Sequence, residues 1–189
     1  RKSPGKRLPN ERSPSVLPPG MKKKLSVLVV CDAPFPTPYG YDLSSDLSTP
    51  AWAAEGAVVR ALRANGHTVS VAGLFRDTGV LFEAVRRVRP DVIFNLTEVL
   101  CQRSDLEKNA AYLMQITRVP YSGETPAGLL VCNNKALSKK LLAFRGLNVP
   151  RFEEYAPGTV SRDTGLPFPV VVKPLKEEAS RGISNASLV

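Results

Sequence analysis

The chain has 189 residues, of which 43% are hydrophobic, and it carries a net charge of +9 and three cysteines. This length suits one domain, or one domain and part of another, and no apolar run approaches the roughly 18–20 residues that span a bilayer. The cysteines are widely spaced and lack CxxC pairing, so they indicate neither a zinc site nor a disulfide framework and fit a cytoplasmic protein.

The positive charge is concentrated in the N-terminal tail. Residues 1–24 hold eight basic residues against Glu11 alone, so the rest of the chain carries only +2 of the net +9. A nearly neutral body argues against a nucleic-acid or membrane surface. Residues 1–20 are rich in Pro, Ser, Lys and Arg, so we expect a disordered basic tail. Met21 is a candidate natural start; the alternative is a basic arm for nucleic acid or acidic lipid.

The next hundred residues alternate between strand and helix patterns. An apolar run predicts a buried first strand, a Pro-rich loop follows at 32–47, and Thr49 and Pro50 are suited to begin a helix that Gly66 ends. We predict strands at 25–31, 68–74 and 92–95, and helices at 51–65, 81–88 and 106–118. This βαβαβα order predicts a Rossmann-like α/β domain over residues 21–125, with a parallel sheet between helices.

The pattern changes after residue 121, and we place a domain boundary between 123 and 135. Residues 126–189 are expected to begin a second, α+β domain. The helix predicted at 136–145 is ended by Gly146, with Pro150 beyond it. A helical turn or two is expected at 126–131, and strands at 151–156, 169–173 and 183–189.

One candidate for chemistry is a lysine that ends an apolar run. The run at 166–174 reads LPFPVVVKP, and the polar loop at 176–184 reads KEEASRGIS. The Lys173 ammonium would supply charge and the loop amides directed donors, which suits a phosphate clamp. Gly182 allows close backbone approach or a positive φ. The alternative is a surface lysine at a strand end.

A second candidate is Lys135, which opens a predicted helix. A cation there is mildly unfavourable against the helix dipole, which is tolerable if the side chain reaches a phosphate. The alternative is a solvated residue, since Lys139 and Lys140 follow on the same helix.

Three other residues are notable for their position. Glu98 follows the third predicted strand, where open α/β sheets place ligand contacts. His67 has no second His or Cys nearby, so we interpret it as structural. Trp52 is interpreted as a packing residue at a helix start.

Three sequence blocks lie at residues 119–123, 134–150 and 168–184. Together they resemble the ATP-grasp superfamily, specifically the D-alanine–D-alanine ligases and their relatives. VPYSG at 119–123 looks like the family's IPYTG turn. NKALSKKLLAFRGLNVP at 134–150 looks like its DKxxxKxxLxxxGIPxP block, and residues 168–184 look like its PxVVKPxxEGSSxGIS block. The resemblance covers the family's N-terminal domain and the start of its ATP-binding domain.

The resemblance implies roles for residues that match the motifs. Lys135 and Lys173 would contact ATP phosphates, and the phosphate-binding loop would include Glu177, Ser180 and Gly182. A family glutamate near the start of the first helix helps to bind the first amino acid. Glu55 lies in that area, and the alternative is an ordinary first-turn acid.

The sequence also departs from the family pattern. Asn134 replaces the usual Asp, Glu178 replaces a glycine, and Ala179 replaces the catalytic serine. Thr97 and Glu98 follow the third strand where the family has His and Gly. We therefore expect phosphate binding by backbone amides to be kept and serine-dependent positioning of D-alanine to be lost.

The implied reaction is ATP-dependent carboxylate–amine ligation through an acyl phosphate, which an amine attacks with release of phosphate and ADP. The implied cofactors are ATP and Mg²⁺, and the substrate an amino acid or dipeptide, with no nucleic-acid or membrane partner and a homodimer left open. The family's Mg²⁺ ligands, adenine hinge and oxyanion arginine are expected beyond residue 189, so this segment alone should not turn over. The alternative is a non-catalytic α/β domain that binds a small ligand or partner protein.

Overall fold

The computed structural model describes residues 24–159, 164–177 and 180–189. The tail expected at 1–20 and the departures at Glu178 and Ala179 lie outside these ranges. Within them, no helix is long and apolar enough to cross a membrane.

The strands and helices follow the predicted alternating order. Strands β1, β2 and β3 span Ser26–Asp32, Thr68–Leu74 and Val92–Leu96. Helices α1 to α5 span Ala53–Ala64, Gly79–Val88, Glu107–Thr117, Pro126–Cys132 and Lys135–Phe144. Short 3-10 helices lie at Leu43–Ser48, Pro50–Trp52, Ser104–Leu106 and Asn185–Ser187.

The first helix begins two residues later than predicted. Pro50–Trp52 forms a 3-10 turn before α1, and the Thr49 side chain makes no cap hydrogen bond. Its hydroxyl donates instead to the carbonyl of Asp46 at 3.2 Å. The hydroxyl therefore stabilises the end of the preceding 3-10 helix rather than the start of α1.

Strand β1 is the centre of a parallel sheet with the order β2-β1-β3. It pairs with β2 along its whole length, from Ser26 opposite Thr68, and with β3 from Val27 opposite Val92. The predicted parallel sheet is therefore confirmed. The five residues from Val27 to Cys31 are at most 2% exposed, because the strand is enclosed on both edges and both faces.

Alternate residues of β1 point into two separate cores. One face packs against α1 and the segment before it, and the other packs against α2 and α3. The first core includes Val27, Val29, Cys31, Leu43, Leu47, Trp52 and Val59. The second includes Leu28, Val30, Leu81, Ala84, Leu100, Ala110 and Met114. Helices thus cover both faces of the sheet, and Trp52 is a buried packing residue, as interpreted.

Helix α1 lies unusually close to the 3-10 helix before it. A Cβ atom at Gly56 would fall 2.5 Å from the carbonyl oxygen of Leu47, far inside van der Waals contact. Only glycine permits this approach. The contact fixes the first turn of α1 and, with it, the position of Glu55.

The outer edge of β2 is covered by the Pro-rich loop. Asp42 Oδ1 accepts the N–H of Val71 at 3.2 Å, and the Thr37 hydroxyl donates to the Gly73 carbonyl at 2.8 Å. These bonds satisfy backbone groups that an edge strand would otherwise leave to solvent or to another chain.

The outer edge of β3 is covered by the VPYSG block. Ile93 donates its N–H to the Pro120 carbonyl at 2.8 Å, and its own carbonyl accepts the Ser122 N–H at 2.9 Å. The Ser122 hydroxyl also accepts the Asn95 N–H at 2.9 Å. The block therefore continues the parallel sheet for about one residue pair beyond β3.

His67 has a structural role at the opposite end of the sheet. Its Nδ1 accepts the N–H of Leu25 at 3.2 Å, just before β1 begins. This bond agrees with the interpretation of a structural histidine.

After β3 the chain crosses the carboxyl end of the sheet as a strap, residues 97–103. The strap ends in a two-residue turn at Cys101 and Gln102, where Leu100 and Arg103 exchange hydrogen bonds of 3.1 and 3.0 Å. Both central residues have positive φ, 54° and 61°. Such a turn favours Asn and Gly, so Cys and Gln here carry backbone strain.

The strands predicted beyond α5 are mostly wrong. Residues 151–156 form no strand, and 169–173 pairs with 183–189 only through one antiparallel bridge between Val171 and Leu188. Val171 and Val172 are 52% and 62% exposed, so Lys173 does not leave a buried strand.

Local chemistry explains the missing strands. Pro169 and Pro174 flank the valine run and have no N–H to donate to a ladder. In the segment 183–189, the Ser184 hydroxyl accepts the Ala186 N–H at 3.2 Å, and the Ser187 hydroxyl accepts the Ser184 N–H at 3.0 Å. This capping box favours the 3-10 turn Asn185–Ser187 over an extended strand.

Relief of the strained turn should stabilise the fold. We expect Gln102→Gly to raise the free energy of unfolding by about 0.5–1 kcal/mol, because glycine adopts positive φ without a Cβ clash. Urea denaturation measures this change. The matched control is Gln115→Gly on the exposed face of α3, which should lower stability by about 1 kcal/mol. Equal losses in both variants would contradict the strain at Gln102.

Candidate functional site

The carboxyl ends of the three strands meet at one edge of the sheet, where open α/β sheets bind ligands. Asp32 ends β1, Phe75 follows β2, and Asn95 lies near the end of β3. The strap crosses all three ends in turn. It leaves β3, contacts Asp32, and reaches Phe75, whose carbonyl accepts the Cys101 N–H at 3.1 Å.

The strap is attached to β1 through the side chain of Asp32. Asp32 Oδ2 accepts the backbone N–H groups of Glu98 at 2.8 Å and Val99 at 3.0 Å. The other oxygen, Oδ1, is buried and has no hydrogen-bond partner among the described residues. One carboxylate therefore combines two directed bonds with one desolvated, unsatisfied oxygen.

Burial dominates the ionisation of Asp32. It raises the pKa of Asp32 from 3.8 to about 6, and the negative charges of Glu98 and Glu55 act in the same direction. The bonds from the Glu98 and Val99 N–H groups oppose this shift because they favour the ionised form. A carboxyl group poised near neutrality at a sheet edge is a candidate functional group.

Glu55 and Glu98 lie near Asp32 from two other elements. Glu55 is in the first turn of α1 and half-buried, whereas Glu98 is exposed on the strap. The charge of Glu55 also acts on Cys31, where burial is the main cause that raises the thiol pKa to about 12. A cysteine so protonated is a packing residue and not a nucleophile.

A second group of predicted site residues lies around the start of α5. Asn134 caps the helix, since its Oδ1 accepts the Leu137 N–H at 3.0 Å. Lys135 donates its backbone N–H to the Leu175 carbonyl at 3.2 Å, and its Nζ donates to the Glu177 carbonyl. Main chain and side chain of one lysine thus both contact the segment that follows Lys173.

The loop after Lys173 is compact. A Cβ at Gly182, where φ is +69°, would fall 2.7 Å from Pro174 Cγ. Ser180 also has positive φ, 60°. Lys173 is exposed and has no hydrogen-bond or ion-pair partner within the described ranges. Its ammonium is therefore available to an anion.

The structure brings together some of the predicted residues. Lys135, Glu177 and Gly182 belong to one cluster with Pro174, and Glu55 and Glu98 belong to another with Asp32. Asp32 is not among the site residues that the sequence predicts, because there it begins the Pro-rich loop. The available signal was a carboxylate placed directly after a fully apolar run, VLVVC.

The predicted site residues differ in how well they suit the two implied cofactors, a nucleotide and a metal ion. Lys135 and Lys173, with the turn at Gly182, offer cationic groups and backbone suited to nucleotide phosphates. No group of three or more His, Cys, Asp or Glu side chains in the described ranges could hold a metal ion. These residues therefore fit phosphate and do not themselves fit Mg²⁺.

Comparison with known proteins places the chain among ligase-like relatives. No family model matches it, and no solved structure matches significantly. It is 29% identical over 67% of its length to a D-alanine–D-alanine ligase of Aquifex aeolicus, and 31% identical over 67% to one of Paramagnetospirillum magneticum. An uncharacterized protein of Sinorhizobium fredii is 35% identical over 67% of the chain. These matches support an ATP-grasp, ligase-like relationship.

The matches cover 42%, 41% and 39% of those three relatives. The chain thus spans about two fifths of the length of the curated relatives it matches.

The raised pKa of Asp32 predicts an unusual pH dependence of stability. Because the folded state binds this proton more tightly than the unfolded chain, its contribution is fully present below pH 3.8 and lost as pH rises to about 6. We expect wild type to lose on the order of 1–2 kcal/mol relative to Asp32→Asn between pH 4 and pH 7, after allowance for solvent screening. Urea unfolding at both pH values measures the difference.

The matched control is Asp91→Asn. Asp91 accepts the Ser26 N–H at 2.8 Å at the opposite, exposed end of β1. Wild type should lose no stability relative to Asp91→Asn between pH 4 and pH 7. A wild-type stability that rises with pH relative to Asp32→Asn would show that burial does not dominate at Asp32.

Proposed function

We propose that this chain forms the N-terminal portion of an ATP-dependent carboxylate–amine ligase related to D-alanine–D-alanine ligases. The observation that carries the proposal is the contact of Lys135 with the carbonyl of Glu177. It joins two of the three sequence blocks that resemble the family, at the place where both would face nucleotide phosphates. The division into an N-terminal α/β domain at 21–125 and the start of an ATP-binding domain at 126–189 is part of the same proposal.

The phosphate end of the nucleotide would be held by the residues around the start of α5 and by the loop after Lys173. Lys173 supplies an exposed ammonium, and the turn containing Ser180 and Gly182 supplies backbone groups at positive φ. Lys135 exchanges its present carbonyl partner for a phosphate oxygen, or holds the loop while Lys173 binds the anion. Fixed cations of this kind offset the charge on a transferring phosphoryl group.

The substrate to be activated would lie at the carboxyl end of the sheet. Glu55 and Asp32 place negative charge beside one another there, and an amino acid carries an ammonium group that would neutralise it. The charge of Glu55 raises the pKa of Asp32, so a bound cation would lower that pKa in turn. An amino acid or a dipeptide with a free amino terminus is therefore the proposed substrate class.

The proposed reaction uses ATP, a carboxylate substrate and an amine substrate. ATP transfers its terminal phosphoryl group to the substrate carboxylate, which gives ADP and an acyl phosphate. The amine of a second substrate attacks the acyl carbon and loses a proton to solvent, the C–O bond to phosphate breaks, and inorganic phosphate leaves with the electron pair. When bound, Mg²⁺ supplies charge neutralisation at the phosphates.

Removal of the Lys173 ammonium should nearly abolish the activity of the complete gene product. We expect Lys173→Ala to lower amino-acid-dependent ATP turnover by at least a hundredfold, because a preorganised charge at a phosphoryl group contributes several kcal/mol. Release of inorganic phosphate measures turnover, and the matched control is Lys176→Ala, three residues further along. Equal turnover in the Lys173→Ala variant and wild type would remove Lys173 from the site, and absence of ATP turnover in wild type would favour a non-catalytic binding domain.

The residue at 179 should decide whether D-alanine is ligated. Since Ala179 lacks the hydroxyl of the family serine, we expect the complete gene product to bind Mg·ATP but to form little D-alanyl-D-alanine. Ala179→Ser should raise that ligation at least tenfold, measured by dipeptide formation alongside a screen of other amino acids and dipeptides. Efficient ligation by wild type that Ser180→Ala abolishes would instead assign the hydroxyl to Ser180.

A further inference from the structure

The strap is anchored by buried groups on both sides of residues 98 and 99. Thr97 is 5% exposed, and its N–H and hydroxyl donate to Asn95 Oδ1 at 3.0 and 2.7 Å. Leu100 is 6% exposed and belongs to the core between the sheet, α2 and α3. Between these anchors, the strap contacts the sheet edge through Asp32.

The bonds from Glu98 and Val99 to Asp32 join parts of the chain that are 66 and 67 residues apart. Both donors are backbone N–H groups, so the bonds fix the path of the main chain and not one side chain. Hydrogen bonds to an ionised carboxylate are shorter and about twice as strong as those to a neutral acceptor. The charge on Asp32 therefore controls how firmly these two residues are held.

We propose that Asp32 is a positioning residue: its carboxylate acts as a proton-controlled latch that holds residues 98 and 99 of the strap, and with them Glu98, against the carboxyl end of β1. Ionised Asp32 holds the latch closed, and protonation loosens it. Thr97 and Leu100 remain anchored in either state, so the movement is confined to the two residues between them.

The surroundings of Asp32 place the transition in an accessible pH range. The charged groups that act on it are Glu98 from the strap and Glu55 from α1, both of which favour the protonated form, while the neighbouring Cys31 thiol stays neutral. Burial is the largest effect and acts in the same direction, and only the two N–H bonds of the strap oppose it. The two N–H bonds offset burial only in part, so the pKa of Asp32 stays above its usual range.

The experiment uses the 189-residue chain itself, so its outcome is independent of the proposed ligase activity. Amide NMR spectra and hydrogen exchange are recorded from pH 4.5 to pH 7.5. We expect the amide protons of Glu98 and Val99 to shift together with a common midpoint near pH 6, and their protection factors to fall about tenfold below it. The Val29 amide in the centre of β1 reports on global unfolding and should keep its protection.

Three variants make the test specific. Asp32→Asn should abolish the common midpoint and leave both amides weakly protected at pH 7.5, whereas the matched Asp91→Asn should retain the wild-type profile. Glu98→Gln removes a like charge and should move the midpoint to lower pH. The latch is wrong if the two amides do not titrate, or if their midpoint persists in Asp32→Asn. If that variant fails to fold, an unmoved midpoint in Glu98→Gln overturns the assignment to Asp32.

Discussion

The enclosure of β1 is the constraint on which the rest of the molecule depends. This strand has neighbours on both edges and helices over both faces, and its five central residues are at most 2% exposed. A chain of apolar side chains in such a position requires two layers of helices, because each face must be shielded from water. The enclosed position of β1 also determines that the residue at the end of the strand emerges at the carboxyl end of the sheet.

Asp32 is the residue that emerges there, and its environment is a compromise. Desolvation favours a neutral carboxyl group, while two backbone N–H groups favour the ion, and the result is a pKa of about 6. Desolvation is the larger effect, so the pKa lies above its usual value, yet it stays below neutral pH. The charges of Glu98 and Glu55 also raise this pKa, so a charged ligand bound beside Asp32 would shift it as well.

Much of the α/β fold could be predicted from periodicity, since apolar runs and punctuating Gly and Pro residues give the order of elements. The site could be predicted only in part. Lys135 and Glu177 are 42 residues apart, and no spacing rule brings them together, so the family resemblance was needed. Asp32 was missed because a carboxylate beside a Pro-rich loop is usually solvated, and its burial depends on the strap, which returns from β3.

The turn in the strap shows another limit of sequence reasoning. Cys101 and Gln102 adopt positive φ without the Asn or Gly that normally marks such a turn. The attachments of the strap to Asp32 and to the Phe75 carbonyl impose that geometry from outside. Long-range contacts therefore override the local preference of Cys101 and Gln102 for negative φ. The sequence of the turn alone contains no sign of those contacts.

The prolines around the exposed valine run have a consequence for how the molecule behaves at high concentration. Val170 and Val172 donate their N–H groups to the Val189 and Ser187 carbonyls, so one edge of this short ladder is occupied. The outward edge begins at Pro169, which has no donor, and the run ends at Pro174. A three-valine segment with high β-propensity would otherwise recruit strands from other molecules. The two prolines thus shorten the edge that this segment can offer to a strand of another molecule.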